Sequence, residues 1–390
     1  MRILVLNHEY PPVGGGGGRV SQDLNLGFCK HGHEVKIITS YLKGLPRNEC
    51  HSHYEIIRVP ALRKYAFRAT LTDMGAYIIS SYLAGSRLIH TWHPDIIHGH
   101  FAVPAGAAAR MLSRRFHIPY FLTAHLGDIP GGVPEKTGTW FRIFYPFTKK
   151  IWEDAERIIT VSSFTRELAK KSYPEIEPDL IFNGVDTKVI KPDPLEVHDP
   201  IQIVFAGRFM EQKNPLLIIE VLHQLKALRW HCVMMGDGPL KPMVEQKIKE
   251  YGLQDRFTLT GWINPEQVIT VYQGSDILFM PSRTEGLPVA GVQAIAMGLV
   301  PVLSDVGGCS DLLVQNESGF LFQPDNTQTF VEALRSLLTD RNKLFQFKKR
   351  SREHAMNFNL NSVVDKYSKI MEKIVENRSK SKLNLKIINF

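Results

Sequence analysis

Residues 2–19 read RILVLNHEYPPVGGGGGR, a short apolar run that leads into a loop of consecutive glycines. The run Arg2–Asn7 is rich in branched side chains and apolar on both faces, which is typical of a strand buried in a parallel sheet. The glycines at 14–18 let the backbone approach an anion closely, and a helix behind them would supply free N–H groups. A strand, a glycine-rich loop and a helix in this order predict an α/β fold.

The function of the glycine-rich loop stays open at this point. Nicotinamide binding would also require an acidic residue at the end of the second strand, about 20 residues further on. The second run, Glu34–Thr39, is followed by Ser40, so no acid stands there. A phosphate-binding loop and a flexible loop without a ligand are the two remaining interpretations.

The alternation of short apolar runs with longer segments continues through the first half of the chain. The segments between the runs are long enough for crossover helices, which predicts a doubly wound parallel sheet. The further runs are Glu34–Thr39, Glu55–Val59, Asp95–His98, Tyr120–Thr123 and Arg157–Val161.

The alternation restarts after a stretch of turn-forming residues at 183–200, which follows the run Asp179–Phe182. We therefore predict a first domain at 1–186, a linker at 187–200, a second domain at 201–360, and a closing helix with a basic tail at 361–390. The runs that predict the second sheet are Ile201–Phe205, His231–Met235, Phe257–Leu259, Ile277–Met280 and Val300–Leu303.

Composition excludes several classes of protein. The length of 390 residues suits two domains, and 44% hydrophobic with 22% charged residues is ordinary for a globular chain. No apolar window approaches the roughly 18 residues of a membrane span, and no secretory signal is predicted. The cysteines at positions 29, 50, 232 and 309 are too scattered for a disulfide framework or a structural zinc site. A cytoplasmic location is expected.

Charge is distributed unevenly along the chain. Residues 1–190 carry 23 basic and 17 acidic side chains, residues 191–340 carry 11 and 18, and residues 341–390 carry 13 and 4. A basic tail of net charge +9 fits contact with an anionic surface, such as a membrane or a nucleic acid. A solvated tail, or one packed on an acidic face, explains the same charge equally well.

The motif at 205–215, FAGRFMEQKNP, leaves the first strand of the second domain. Arg208 and Lys213 stand five residues apart near a helix entrance, at the carboxyl end of a strand, where α/β sheets bind ligands. An arginine can clamp two oxygens and a lysine adds a point charge, so the pair predicts a phosphate site. Two solvated surface cations are the alternative.

The motif at 281–298, PSRTEGLPVAGVQAIAMG, predicts a loop followed by a helix. Pro288 suits the first helical position, and Gly298 suits the C-terminal cap. Glu285 lies just before the helix, where it could accept hydrogen bonds from sugar hydroxyls or act as a capping acid. Gln293 lies inside the helix.

Together these motifs resemble the family 4 glycosyltransferases, which have the GT-B fold of two Rossmann-like domains facing a central cleft and act with retention. The resemblance covers nearly the whole chain, and the order and spacing of its motifs are more specific than any one of them. The motifs are PPxGGxGR at 11–19, HxH at 98–100, TxHxGD at 123–128, NGVD at 183–186, GRxxxxKN at 207–214, GDGP at 236–239, EGLP at 285–288 and Gly307-Gly308.

The resemblance implies roles for the residues of the donor site. The amides of Gly16 and Gly17 would face the donor diphosphate, and Arg208 with Lys213 would neutralise its charge. Gln293 would hold the nucleotide ribose.

The sugar end of the donor has its own set of residues in the family. Glu285 would bind the sugar hydroxyls, and the backbone of Gly286 and Leu287 would line the sugar–phosphate junction. His125 would face the anomeric centre, although a buried histidine with a satisfied hydrogen bond is the structural alternative.

Gln293 departs from the pattern of the family, which has a second glutamate at this position. A carboxylate can accept from both ribose hydroxyls, whereas an amide offers one acceptor and one donor group. The substitution leaves a catalytically inactive homologue as a minority interpretation, because Glu285, Arg208 and Lys213 are all retained.

The function implied is transfer of a sugar from a nucleotide-diphosphate donor to a glycan or lipid-linked acceptor, in cell-envelope or polysaccharide synthesis. Positive charge and amide dipoles would stabilise the leaving diphosphate, so no essential metal or other cofactor is expected. No nucleic acid partner is expected. A nucleotide-sugar 2-epimerase and a non-catalytic nucleotide-sugar-binding homologue are the alternatives.

Residues 139–152, TWFRIFYPFTKKIW, are dense in aromatic side chains and edged with cations. Such a segment could contact a bilayer or a lipid acceptor, whereas a helix packed in the core is at least as good an explanation. With the basic tail, it raises peripheral membrane contact as a hypothesis.

Overall fold

The computed structural model describes residues 1–66 and 69–388, and it describes no side chains at 134–143 and 381–388. Contacts divide the chain into two units, one of Met1–Gly184 with Leu360–Phe390 and the other of Val185–Asn359. Each unit is an α/β domain built on its own sheet.

The described part of the first unit contains a sheet of eight strands in the order β3-β4-β2-β1-β5-β6-β7-β8. All pairs are parallel except β3 with β4. The strands are β1 Arg2–Leu6, β2 Glu34–Ser40, β3 Asn48–Cys50, β4 Tyr54–Val59, β5 Ile96–His100, β6 Tyr120–Ala124, β7 Arg157–Thr160 and β8 Asp179–Leu180. The helices are α1 Gly16–Lys30, α2 Leu71–Trp92, α3 Ala107–Phe116, α4 Pro134–Glu153, α5 Ser163–Ser172 and α12 Leu360–Ile388.

The second unit contains a parallel sheet of six described strands in the order β11-β10-β9-β12-β13-β14. The strands are β9 Ile201–Ala206, β10 Trp230–Met235, β11 Phe257–Gly261, β12 Ile277–Met280, β13 Val300–Ser304 and β14 Phe320–Phe322. The helices are α6 Pro215–His223, α7 Lys241–Glu250, α8 Pro265–Gln273, α9 Val289–Ala296, α10 Thr327–Thr339 and α11 Arg341–His354.

The doubly wound parallel sheets predicted from the apolar runs are confirmed, because each of those runs is a strand with ends within a residue or two of the prediction. Their side chains are buried on both faces, as in β1, where Ile3 to Leu6 are fully buried. The pattern does not predict β3 and β14, because three residues are too few to show a period.

The two segments outside the predicted domains each join one of the units. The predicted linker at 187–200 joins the second unit, where the Arg352 guanidinium donates to the carbonyls of Thr187, Ile190 and Ala296. The closing helix α12 returns to the first unit and packs on α1, where a Cβ on Gly27 would lie 2.3 Å from Val364 Cγ2. Arg352 and Val364 are remote in sequence from the segments they hold, so no local pattern reveals these contacts.

The connections of the first sheet put its helices on two faces. The chain crosses from β1 through α1 to β2 in one direction, and from β4 through α2, α3 and α4 to β7 in the other. Because such crossovers are right-handed, α1 lies on one face and α2, α3 and α4 lie on the other. Contacts of α2 with α3, and of α3 with α4, agree with a single helical layer.

The parallel strands bring the sequence motifs to one edge of each sheet. The glycine-rich loop follows β1, the HxH motif ends β5 and the TxHxGD motif ends β6; β1, β5 and β6 are neighbours. In the second unit the GRxxxxKN motif follows β9 and the EGLP motif follows β12, which are also neighbours. These are the carboxyl ends of the strands, where α/β sheets bind ligands.

Candidate functional site

The glycine-rich loop ends in the first turn of α1, so the structure places Gly16 and Gly17 as its first two residues. Gly15 is the N-cap and offers no side-chain hydrogen bond, and the first turn contains no acidic residue. The first amides of a helix have no partner within it and carry the positive end of its dipole. This geometry can bind an anion.

The glycine-rich loop is held by a carboxylate that pairs with a buried arginine. The Glu9 carboxylate accepts the Gly15 N–H at 3.1 Å and lies 3.7 Å from the Arg63 guanidinium. Arg63, whose side chain is 1% exposed, also donates to the carbonyls of His8, Tyr65 and Ala66. The position of the loop is therefore set by charged groups that its own glycines cannot supply.

His125 lies beside this loop in the same unit. Its backbone N–H donates to Asp128 Oδ1 at 3.0 Å, and the other oxygen of Asp128 accepts from Ala102 N–H at 2.8 Å. A Cβ added to Gly17 would lie 3.5 Å from His125 Nδ1. Burial lowers the pKa of His125 to about 4, so the imidazole is neutral near pH 7. The structure thus brings together Gly17 and His125.

Phe101, which belongs to none of the sequence motifs, completes this region. It follows the HxH motif with a φ of 68°, and its ring centroid lies 4.4 Å from that of His125. A Cβ on Gly17 would lie 2.5 Å from Phe101 Cζ, closer than real contacts allow. Gly17 is therefore glycine for steric reasons as well, although nothing in the local sequence links the two positions.

In the second unit, Lys213 and Glu285 form an ion pair with 2.5 Å between Nζ and Oε1. The side chains are 19% and 6% exposed. The two residues are 72 positions apart, and they meet because β9 and β12 are neighbours that end at the same edge. A cation and a carboxylate therefore converge in a largely desolvated place, where their interaction is much stronger than in water.

Polar contacts fasten the two loops that carry this pair. The Gln212 amide donates to the Thr284 carbonyl at 3.0 Å, and the Arg283 N–H donates to the Gln212 carbonyl at 2.8 Å. The Arg283 guanidinium also pairs with Glu211 and with Asp325. One backbone and one side-chain hydrogen bond thus join the loops that position Lys213 and Glu285.

The backbone after Glu285 is braced by two glycines. Gly308 N–H donates to the Gly286 carbonyl at 2.6 Å, and Leu287 is buried. Gly307 has a φ of +56°, and a Cβ there would lie 1.7 Å from the Glu285 carbonyl oxygen. A side chain at position 307 would displace the loop that carries Glu285.

The remaining predicted donor residues of the second unit are Arg208 and Gln293. Arg208 follows β9, where its neighbour Phe209 donates its N–H to the Asp237 carbonyl at 2.9 Å. Gln293 is half-buried in the second turn of α9, and in the described structure no hydrogen bond joins it to Glu285. Pro288 is the N-cap of α9 rather than its first residue.

The described residues include no group of three histidine, cysteine or acidic side chains that could hold a metal ion. They also include no helix that is both long enough and apolar enough to cross a membrane.

Two family models match the chain, one in each half. Residues 14–189 match the model described as Glycosyltransferase Family 4, and residues 186–354 match the model described as Glycosyl transferases group 1. Both ranges include the motifs whose geometry is described above.

Individual relatives cover almost the whole chain at low identity. An uncharacterized glycosyltransferase of Methanocaldococcus jannaschii, MJ1178, is 24% identical over 96% of this chain and 99% of its own. The sucrose-phosphate synthase of Thermosynechococcus elongatus has a TM-score of 0.85 at 20% identity, covering 97% of this chain and 100% of that one. The Anabaena protein Alr3699/HepE in complex with UDP and glucose has a TM-score of 0.75 at 16% identity, covering 95% and 99%. The solved structures show that both chains share the GT-B fold with this one.

Proposed function

Because the chain belongs to the family 4 glycosyltransferases, we propose that it transfers a hexose, with retention, from a nucleoside-diphosphate sugar to a glycan or lipid-linked acceptor. We place this reaction in cell-envelope or polysaccharide synthesis. The observation that carries the proposal is the buried pair of Lys213 and Glu285, which sets a cation for a phosphate beside an acceptor for sugar hydroxyls.

The proposed leaving group sets the chemical demands on the site. A nucleoside diphosphate gains negative charge as the bond to the sugar breaks, and preorganised cations and amide dipoles stabilise that charge. Arg208 and Lys213 supply cations, and the amides of Gly16 and Gly17 supply dipoles. We propose that these groups suffice without a divalent metal ion.

Glu285 has a different task in this proposal. A buried carboxylate accepts hydrogen bonds but donates none, so it selects a donor sugar whose hydroxyls point at it. Its pairing with Lys213 fixes the direction of the carboxylate. The sugar is thereby oriented for front-side displacement, in which the acceptor oxygen attacks the anomeric carbon and the departing phosphate oxygen takes the acceptor's proton.

Two steps test the proposal. Thermal denaturation with a panel of nucleoside-diphosphate sugars should identify the donor, because a ligand that binds the native state raises its apparent stability. Mass spectrometry of the reaction with that donor and candidate acceptors should then show a glycosylated product, in EDTA as well as with Mg²⁺.

An epimerised donor formed without acceptor would contradict transfer in favour of the 2-epimerase. Binding without turnover on any acceptor would favour the non-catalytic homologue. Loss of activity in EDTA that Mg²⁺ restores would contradict the metal-free mechanism.

The cations at the phosphate site should matter for binding of the bare nucleotide. Arg208→Ala and Lys213→Ala are each expected to weaken binding of the nucleoside diphosphate by about 1.5–3 kcal/mol, since each removes a charge-assisted hydrogen bond. Isothermal titration calorimetry measures this change. The matched control is Lys241→Ala, a lysine of the same unit that pairs with Asp237 and is expected to leave affinity unchanged. Parent affinity in both test variants would remove them from the donor site.

Gln293 should bind the ribose even without the carboxylate that the family has there. Gln293→Ala is expected to cost about 1–3 kcal/mol of donor binding, whereas Gln293→Glu should keep or improve it, because a carboxylate accepts from both hydroxyls. Donor affinity of both variants is measured against the parent chain. Equal affinity in all three proteins would place Gln293 outside the site.

An exposed surface on the first unit favours a membrane-bound acceptor. The helical layer of α2, α3 and α4 presents Ile79, Leu83, Met111 and Phe147 to solvent, with exposed fractions of 63%, 49%, 42% and 71%. We call these four residues the apolar helical surface. Of the aromatic segment at 139–152, the side chains of residues 139–143 lie outside the described residues, and Phe147 is exposed whereas Trp152 is buried.

The helices α2 and α3 carry more basic than acidic residues, whereas Asp154, directly after α4, pairs with Arg110 and Arg114. Between residues 74 and 116, the single acidic residue is Asp95, whereas the four basic residues are Arg87, Arg110, Arg114 and Arg115. Apolar side chains among cations are typical of proteins that bind the surface of an anionic bilayer. The basic helix α12 packs on α1, on the opposite face of the sheet, so the two basic regions can be tested separately.

Loss of apolar area should therefore weaken membrane binding. The double variant Ile79→Ser, Leu83→Ser is expected to lower partitioning onto vesicles of phosphatidylglycerol and phosphatidylcholine about tenfold, because roughly 1 kcal/mol or more of apolar burial is lost. Vesicle flotation at two salt concentrations measures the effect. Met243→Ser, at a residue 52% exposed on α7, is the matched control. Normal binding by the double variant, with loss in Lys369→Glu, Lys373→Glu on α12, would contradict this surface.

A further inference from the structure

Three histidines of the first unit pack together at the carboxyl ends of β5 and β6, and the family resemblance implies a role for His125 alone. The rings of His98 and His100 lie 4.1 Å apart, and those of His100 and His125 lie 5.5 Å apart. His98 and His100 are fully buried and His125 is 8% exposed. Burying a polar ring costs free energy of folding unless the ring is hydrogen-bonded, so the partners of the ring nitrogens matter.

The two ring nitrogens of His125 face different partners. His125 Nε2 lies 3.2 Å from Nδ1 of His100. His125 Nδ1 faces the glycine-rich loop, 3.5 Å from the point that a Cβ on Gly17 would occupy. The hydrogen bond at one nitrogen of an imidazole determines which nitrogen carries the proton. The contact with His100 therefore decides what His125 offers to the loop.

All three rings are neutral. The proton between His100 Nδ1 and His125 Nε2 can therefore belong to either ring, which gives two arrangements. Burial lowers the pKa of His98 to about 3, that of His125 to about 4, and that of His100 well below its usual value. In the first arrangement His125 Nε2–H donates to His100, and His100 then carries its own proton on Nε2. In the second, His100 Nδ1–H donates to His125, and His125 carries its proton on Nδ1.

The surroundings of His100 Nε2 distinguish the two arrangements. This atom is buried, and none of the described residues forms a hydrogen bond with it. A buried N–H without an acceptor is rarer and more costly than a buried lone pair without a donor. The second arrangement, with a bare Nε2 on His100, therefore has the lower energy.

The ring of His100 is fixed by its neighbours. His98 packs against it, and His98 Nε2 is held at 2.8 Å from Thr123 Oγ1, which lies 3.1 Å from the Tyr367 hydroxyl. His98 also stacks on Phe121 at 4.1 Å. These contacts hold the ring of His98, which in turn holds the ring of His100 beside His125.

We propose that His100 is a positioning residue that keeps His125 in the Nδ1–H form, so that His125 presents a hydrogen-bond donor rather than a base to an oxygen of the substrate bound at the glycine-rich loop. The tautomer follows from the first unit alone, and only the identity of the substrate oxygen rests on the proposed function. A donor at this place would bind a sugar or phosphate oxygen and take no proton from the acceptor.

The tautomer can be measured directly in the unmodified protein. Long-range ¹H–¹⁵N correlation spectra of the ¹⁵N-histidine-labelled full chain, assigned with His125→Asn, should show His125 protonated on Nδ1. His100→Asn should keep this form, because its side-chain amide can donate from the same position as Nδ1. His100→Ala should shift His125 toward the Nε2–H form that free imidazole favours. His53→Ala, at an exposed histidine outside the stack, is the matched control and should leave the His125 signals unchanged.

The same variants should separate positioning from folding. With the donor that the thermal screen identifies, His100→Ala is expected to lower kcat about tenfold with little change in KM for the donor. His100→Asn should have a kcat within about threefold of the parent value.

An Nε2–H signal for His125 in the parent protein would overturn the inference. So would a His100→Asn variant that resembles His100→Ala in both tautomer and kcat. If His100→Ala fails to fold, the parent spectrum and His100→Asn still decide the question, and neither spectrum depends on glycosyl transfer.

Discussion

Glu285→Gln is expected to lower turnover by about two orders of magnitude while leaving affinity for the bare nucleoside diphosphate equal or higher. The substitution keeps the shape of the side chain but removes the charge that orients the sugar, an interaction that matters more in the transition state than for the bare nucleotide. It also removes the carboxylate that pairs with Lys213 at 2.5 Å. The ammonium group of Lys213 then has no carboxylate that competes with the phosphate. Steady-state kinetics at saturating donor and calorimetry with the nucleoside diphosphate measure the two effects.

The control for this prediction is Glu211→Gln in the same unit. Glu211 pairs with Arg283 near the site, but its side chain is 73% exposed, so its removal should change turnover less than twofold. Parent-like turnover in Glu285→Gln would exclude this carboxylate from the reaction. An equal fall in both variants would mean that the effect is general to the charge of this region and not specific to the sugar.

Gly17→Ala is expected to reduce glycosyl transfer about a hundredfold, although it adds a single methyl group. The new Cβ would lie 2.5 Å from Phe101 Cζ, so either the Phe101 ring or the start of α1 has to move. Both movements disturb His125 and the first amides of α1, and a displacement of about 1 Å at a site can cost two orders of magnitude. Transfer rate and thermal denaturation of the variant give the two readouts.

A matched glycine and a rescue variant sharpen this test. Gly75 lies in α2 with nothing within 4 Å of an added Cβ, so Gly75→Ala should keep full activity and gain up to about 1 kcal/mol of stability. Phe101→Leu combined with Gly17→Ala should recover part of the lost transfer, because the smaller side chain makes room for the methyl group. Full activity in Gly17→Ala alone would show that the loop tolerates the displacement and would remove it from the donor contacts.

Local sequence was enough to predict most of the fold because buried parallel strands are recognisable one at a time. A run such as Ile201–Phe205 is apolar on both faces wherever it lies in a sheet, and the turn formers around it mark its ends. Edge strands such as β3, three residues long and partly exposed, lack that pattern. The apolar runs therefore predict the strands that carry the site and the edge strands β8 and β11, but not the edge strands β3 and β14.

The candidate site residues were found through motifs, but the reason for their positions was not visible in the motifs. The spacing of GRxxxxKN puts Lys213 near a helix entrance, yet its partner Glu285 is 72 residues away. The resemblance suggests separate roles for the two residues, one on phosphate and one on sugar. The structure shows that they share one buried ion pair, so a change in one affects the charge of the other.

The sequence by itself determined the two α/β domains, the strands and the loops that carry the chemistry, because these depend on short-range patterns of apolar and turn-forming residues. Only the tertiary structure decided which residues of those loops meet: Gly17 with Phe101, His100 with His125, and Lys213 with Glu285. The tertiary structure also decided that α12 packs in the first unit, although it follows the second unit in the sequence. These contacts depend on which strands are neighbours in a sheet and on how side chains remote in the sequence fill the same space, and no local pattern records either property.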